Sequence, residues 1–391
     1  MKIFVLVSRV PYPLEKGDKL RAYHQVEHLS KTHEIHLCCL SVGEVHPDAL
    51  IELQKIAQHV TIVPLKKWKI YLRLARALMS EKPFQVHYFF QKAAQLKVLE
   101  AIEAFQPDHI YCQLIRTSEY VKNLHGIPKT LDYMDALNKG MERQTETASA
   151  LLAPVYRAES QRLVKYEHLI FEYFEHHTII SKQDQQLIYH PQRNKIRVIP
   201  NGVDTEFFQK RAIQPTHELV FTGNMSYAPN VDSAKYLVHE ILPLVHQQIP
   251  GVRLLLAGAN PNGTVLGLAG RYVNVSGWLE DIRDAYSSAR VFIAPMRIGT
   301  GLQNKLLEAM SMQLPCISSA LANNALGATP DEHILIGDSP QSYANQVVAL
   351  LKDANLSGEL AQYGRRFVAA NFSWESTVEE LSTLMSAKSA F

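Results

Sequence analysis

The sequence predicts an α/β protein of two doubly wound, Rossmann-like domains, each built on a parallel sheet. Three observations lead there. At 391 residues the chain is too long for one ordinary core and suits two. Short β-branched runs alternate with longer amphipathic segments from one end to the other, the pattern of parallel strands joined by crossover helices. The alternation also falls into two sets, separated near IPNGVDTEFF and the polar, proline-containing QKRAIQPTHE.

The first strand is MKIFVLV, an apolar run too short for a signal-peptide core and without a small-residue cleavage site. EIHLCCLS, HVTIVPL, DHIYCQ, TLDYM and HTIIS follow as strands, with helices such as residues 20–30 and 93–105 between them. Residues 137–176 read as helical but interrupted at Pro154, which predicts a break or two helices. The second set of strands is KIRVIP, LVFTG, VRLLLAG, YVNVSG, VFIAP, LPCIS and HILIG. The tail, FSWESTVEELSTLMSAKS, is amphipathic, with Ser373 as its expected N-cap. The expected domains are residues 1–195 and 196–370, with 371–391 packing back on the first.

Composition excludes several classes. Apolar residues make up 47% and charged residues 20%, the balance of a globular protein. A net charge of +2 gives no global attraction to nucleic acid, and none is expected as a partner. The four cysteines have no Cys-x-x-Cys spacing and fit a reducing cytoplasm. No apolar stretch reaches the ~18 residues that span a membrane. Despite 17 histidines there is no His-Glu-x-x-His, Cys/His cluster or Asp-x-Asp, so neither a metal nor another cofactor is expected.

The most informative segment is VFIAPMRIGTGLQNKLLEAM. A buried strand runs into Gly299, Thr300 and Gly301, then through Leu302 and Gln303 into a helix. Glycines admit a close backbone approach, and the free N–H groups of a helix start point at an anion such as phosphate. Arg297 and Lys305 flank the turn, and Glu308, further into the helix, suits the paired hydroxyls of a ribose. The segment has neither the third glycine of a dinucleotide fingerprint nor the Gly-Lys-Ser/Thr of a P-loop, and a plain strand–turn–helix carries the same pattern. A second strand-end turn, FTGNMSYAPN, places Gly223 and Asn224 at the turn and Asn230 as a cap for the next helix. A third, VSGWLEDI, presents Trp278 for stacking or for packing. Strand-end turns of one parallel sheet converge on one crevice, and convergence marks a binding site more strongly than any one turn.

Two further segments stand out. EKGDKLR follows the first strand, where Gly17 lets the loop reach a phosphate and Lys16, Lys19 and Arg21 add charge; a solvated loop with a turn glycine is the plainer alternative. In residues 65–79, Trp68, Tyr71, Leu72, Ala75 and Met79 share one helical face, and Lys66, Lys69, Arg73 and Arg76 the other. Such a helix either rests on an anionic membrane surface or docks on its own sheet.

As a set, PNGVDTEFF, FTGNMSYAPNVD, LLLAG and GTGLQNKLLEAM resemble the donor domain of the retaining, two-domain (GT-B type) glycosyltransferases of family 4. Among them, the bacterial exopolysaccharide-type sugar transferases are the most similar. PYPLEKGDKLRAYH, LDYMDALNKGMERQ and FSW extend the likeness over almost the whole chain. The resemblance implies two domains facing across a cleft, a nucleotide-sugar donor in the C-terminal half, and retaining, metal-independent hexosyl transfer. It implies a glycan or lipid-linked acceptor, in envelope or exopolysaccharide synthesis, and a cytoplasmic enzyme peripheral to the inner membrane face. Carried over by position, Glu308 is the second glutamate of the family's Glu-x7-Glu pair, while Thr300 stands at the first. Asn224 and Asn230 stand where the family has its diphosphate-clamping Arg and Lys, which leaves Lys305, Arg297, Lys235 or backbone amides to supply the charge. The family's acceptor-domain histidine has no counterpart; Asp132 and Asp135 lie at that strand end. Glu308, Lys305 and Asp135 are therefore the expected catalytic set. Two alternatives share the architecture: a partner subunit with a degenerate donor site, and a hydrolysing nucleotide-sugar epimerase.

Overall fold

The computed structural model describes residues 1–14, 16–298 and 301–387, without the side chains of Glu146 and Thr147. The chain forms two compact units, Met1–Pro200 with Trp374–Phe391, and Asn201–Ser373.

The first unit holds seven parallel strands: β1 (Lys2–Val7), β2 (Glu34–Val42), β3 (His59–Leu65), β4 (His109–Gln113), β5 (Lys129–Asp132), β6 (His176–Ile179) and β7 (Arg197–Val198). Their order is β3-β2-β1-β4-β5-β6-β7. The continuous apolar run of β1 follows from its place between β2 and β4, where helices cover both faces and residues Ile3 to Val7 are buried. Phe4 and Leu6 face one core with Ile110 and Leu131; Ile3, Val5 and Val7 face the other. The C-terminal helix, Trp374–Ser386, completes this second core with Trp374, Val378 and Leu381. It lies against the helix Gly17–Leu29, where the Trp374 ring stacks on His24 at 4.9 Å. The tail therefore returns to the first unit, as expected.

The second unit carries β8 (His217–Thr222), β9 (Leu254–Ala257), β10 (Val273–Gly277), β11 (Ala289–Ala294), β12 (Cys316–Ser319) and β13 (Leu335–Gly337). All pairings are parallel, in the order β10-β9-β8-β11-β12-β13. In both sheets the winding reverses beside the first strand, between β1 and β4 and between β8 and β11. At such a switch point the loops leaving the two strands diverge and open a crevice at their carboxyl ends.

Two local expectations need correction, and a third is met. KIRVIP was expected to open the second set, but β7 pairs with β6 and ends the first sheet, with Ile199 buried in the first unit's core. Pro154 marks a division into two helices, as expected. It lies in the first turn of Ala153–Phe171, where its missing N–H has no helical partner to lose, and residues 148–152 separate that helix from Leu137–Thr147. Asn230 is not an N-cap: the helix after Gly223 begins at Ala228, with Pro229 in its first turn, so Asn230 is already helical and its side chain is free for another task.

Candidate functional site

The switch point of the second sheet gathers the loops after β8 and β11. Gly223, at the end of β8, has φ +153°, and a Cβ there would lie 2.6 Å from the side-chain nitrogen of Asn230. From the neighbouring strand, Gly258 approaches so closely that its own Cβ would sit 2.0 Å from the Gly223 carbonyl oxygen. Both glycines are thus required by contact. The buried Asn230 amide donates to the Asn224 carbonyl at 2.9 Å and accepts from Lys305 Nζ at 2.5 Å, tying the first turn to the helix Asn304–Ser311. Asn224 folds its own turn, its Oδ1 accepting from the Ser226 amide and hydroxyl.

Lys305 has no carboxylate within ion-pair distance among the described residues, and its ammonium sits 4.8 Å from the centre of the Phe221 ring. Desolvation pulls its pKa down to about 7, with the charge of Glu308 opposing. One helical turn on, Glu308 accepts a 2.6 Å hydrogen bond from Tyr286, whose hydroxyl also meets Thr222 at 2.8 Å. Desolvation raises the Glu308 pKa, while the Tyr286 hydrogen bond and Lys305 hold it down. An ammonium and a carboxylate on one helical stripe, each anchored by a neutral partner, suit a ligand that carries both an anion and hydroxyl groups.

The other expected residues fall in different places. Gly299 and Thr300 lie outside the described residues. Gln303 donates to the Gly301 carbonyl at 2.8 Å, Leu302 packs on the core, and the helix starts at Asn304 rather than at the glycines. Arg297 makes a two-pronged ion pair with Asp232 (3.0 and 2.7 Å), approaches Glu240 at 3.7 Å and stacks over Tyr236. Its charge is already offset. Trp278 is 65% exposed, so it does not serve the core, and it follows the edge strand β10.

The glycosyl transferases group 1 family model matches residues 216–353, the segment that holds these loops. That segment is a group 1 glycosyltransferase domain. The chain as a whole has the GT-B fold. An uncharacterized 44.6 kDa protein of the cps region of Klebsiella pneumoniae is 22% identical, over 95% of this glycosyltransferase and 96% of the relative. Solved structures share its fold along the whole length. Sucrose-phosphate synthase of Thermosynechococcus elongatus gives a TM-score of 0.69 at 18% identity, with 98% of each chain covered. TarM gives 0.71 at 10% identity, with 99% of each covered. HepE of Anabaena, solved in complex with UDP, gives 0.67 at 13% identity and covers 98% of this chain and 99% of its own.

In the glycosyltransferase's first unit, Asp132 and Asp135 part company. Asp132 is fully buried and accepts hydrogen bonds from Arg21 (2.7 Å), Tyr111 (2.9 Å) and Thr178 (2.9 Å). Arg21, expected to charge the first loop, is instead enclosed in this pair and is fully buried. Asp135 lies on the solvent side; partial desolvation, then repulsion from Asp184 and Asp132, raises its pKa to about 7 against the pull of Arg21. Gly17 is the first residue of its helix, with open space around it. The sequence reading missed Tyr286 and Thr222. Tyr286 looks like any apolar position of a short helix, and only its position behind Glu308 reveals its use.

Proposed function

We propose that this glycosyltransferase moves a hexose, with retention, from a nucleotide-sugar donor to an acceptor in cell-envelope or exopolysaccharide synthesis. The observation that carries the reading is the linked pair Lys305–Asn230 and Glu308–Tyr286 at the switch point of the second sheet. Lys305 and the amides that open its helix offset the charge of the donor diphosphate, while Glu308 accepts the ribose hydroxyls. In the transfer, the bond from the anomeric carbon to the phosphate oxygen breaks and a bond to an acceptor hydroxyl forms. The nucleoside diphosphate leaves, and the acceptor's proton passes to a base or to the leaving oxygen. We assign the role of proton acceptor to Asp135 in the first unit, and its raised pKa supports that reading. The Anabaena structure with bound UDP makes uridine nucleotides the first donors to try. The cps-region relative supports a polysaccharide setting.

The absence of an Asp-x-Asp in the sequence favours metal-independent transfer, as expected for this fold. Activity is therefore predicted to survive a chelator; complete loss, restored by magnesium or manganese, would contradict it. Among the described residues no helix is long and apolar enough to cross a membrane. We place the enzyme at the inner membrane face through Lys67–Ala77, whose outer side carries exposed Trp68, Tyr71 and Leu72 among basic residues. The deciding experiment for the whole reading is a thermal-shift screen of nucleotide sugars followed by product identification. A glycoside product supports it, a free altered sugar favours the epimerase, and donor binding without turnover favours a partner subunit.

A further inference from the structure

The first sheet has a switch point of its own, and a cavity of about 840 Å³ opens there. Arg9 and Val10 after β1, the end of β2, and Arg116 after β4 line it. The helices Lys67–Ala77 and Phe84–Phe89 close one side with Leu74, Phe84, Tyr88 and Phe89. Its charge is one-sided: among the described residues, Arg9, Lys16, Lys19 and Arg116 line it against Glu44. Arg9 is paired with Asp18. Arg116 is different. Its Nε donates to the neutral Gln85 at 2.8 Å, its guanidinium lies 5.5 Å from the Phe89 ring centre, and it forms no ion pair among the described residues. Desolvation and then the charge of Arg9 bring its pKa down to about 10, against the pull of Asp18, Asp135 and Glu159. A partly desolvated guanidinium whose direct contacts are all neutral is only partly compensated by carboxylates farther off, and an anion entering the cavity would meet it directly. Guanidinium and phosphate also match in geometry, two N–H groups to two oxygens.

We propose that this cavity binds a phosphate group on the sugar acceptor, with Arg116 and Lys16 holding the anion and Phe84 and Tyr88 flanking the group attached to it. The proposal rests on the transferase reading and deepens it by naming the acceptor's chemistry. The phosphate can belong to a free phosphosugar or to a lipid-linked one. Leu74 lines the cavity from the same amphipathic helix that exposes Trp68 and Tyr71 on its other side, so an alkyl chain leaving the cavity would pass this helix.

Isothermal titration of the full chain, with and without saturating UDP, tests this. The probes are glucose 1-phosphate, decyl phosphate below its micelle concentration, and methyl glucoside. At least one phosphate ester is expected to bind whether or not UDP is present, and methyl glucoside more weakly. Arg116→Gln should weaken that binding roughly tenfold or more, Arg116→Lys and the exposed Lys16→Gln less. UDP affinity should be unchanged in all three. Tighter decyl phosphate identifies a lipid-linked acceptor, and tighter glucose 1-phosphate a free one; both support the site. Binding that UDP abolishes, that methyl glucoside matches, or that both Lys16→Gln and a folded Arg116→Gln leave unchanged overturns it. Failure of wild-type protein to bind UDP would sink the donor reading while leaving this site standing.

Discussion

At the residue scale, Lys305 and Glu308 make separable forecasts. With its pKa near 7, the free Lys305 is about half protonated at neutral pH, and only the ammonium attracts a diphosphate. UDP is fully ionised from about pH 7 upward, since its last phosphate proton is lost near pH 6. UDP affinity should therefore fall between pH 7 and 9, and Lys305→Met should be weaker and nearly flat over that window. Lys305→Ala should also cost more turnover than Lys235→Ala, because Lys235 is exposed on its helix. A reversed ranking would move the charge elsewhere. Glu308→Gln keeps a partner for Tyr286 but loses the charge, and a charge-assisted hydrogen bond is worth ~1.5–3 kcal/mol. Donor affinity should drop by about one to two powers of ten with the melting temperature little changed. Glu308 was legible as a candidate from its place in GTGLQNKLLEAM. Its anchoring was not, because Thr222 and Tyr286 are far from it in sequence.

At the element scale, the helix Lys67–Ala77 shows what periodicity can and cannot decide. The amphipathic pattern is real, but the docked side is Ile70, Leu74 and Ala77, which recur at i, i+4 and i+7. Trp68 is 61% and Tyr71 72% exposed, so the alternative in which Trp68 and Leu72 pack on the sheet fails. Arg73 belongs to the fold, donating to the His87 carbonyl at 3.2 Å and stacking on Phe90. The remaining basic residues, Lys66, Lys67, Lys69 and Arg76, are each worth on the order of 1 kcal/mol near an anionic bilayer. Wild-type protein should sediment with anionic liposomes at low salt, Lys66/Lys69/Arg76→Glu should not, and Trp68→Ala should lie between. Wild-type protein that ignores such liposomes would end the membrane proposal and leave the transferase assignment intact.

At the scale of the whole molecule, the first unit sets a pH window for stability. His109 and His177 are buried on β4 and β6, and desolvation pushes both pKa values to about 3. Their folded values lie below the unfolded one, so the unfolded chain binds more protons in acid. Stability is full above about pH 6.5 and falls as pH drops toward 3, by ~1.4 kcal/mol per pH unit for each histidine. Glu167 acts oppositely. It is fully buried, hydrogen-bonded by the Asn138 amide groups, and raised to about 8. Its contribution is complete below the unfolded value near 4.5 and is lost as pH rises through 8. Urea midpoints should fall as pH drops below 6.5 and also as pH rises from 6.5 to 8, with no further loss from Glu167 above that. Glu167→Gln should remove the fall between pH 6.5 and 8 and steepen the acid side, and a profile flat from pH 4 to 7 in that variant would refute the histidine account.

By itself the sequence determined the thirteen strands, because burial on both faces of a parallel sheet writes itself into each strand as a short apolar run. It also placed Gly223 and Gly277 at strand ends. What only the tertiary structure decided is which residues meet. Asp132 was legible as an acidic residue beside Asp135, yet 111 positions separate it from Arg21, whose charge it removes from the first loop. Arg297 likewise reads as a phosphate ligand until Asp232, 65 positions away, neutralises it. Local pattern records whether a segment is buried. The partner of a buried charge depends on strand order and crossover packing, long-range contacts that no short window of sequence contains.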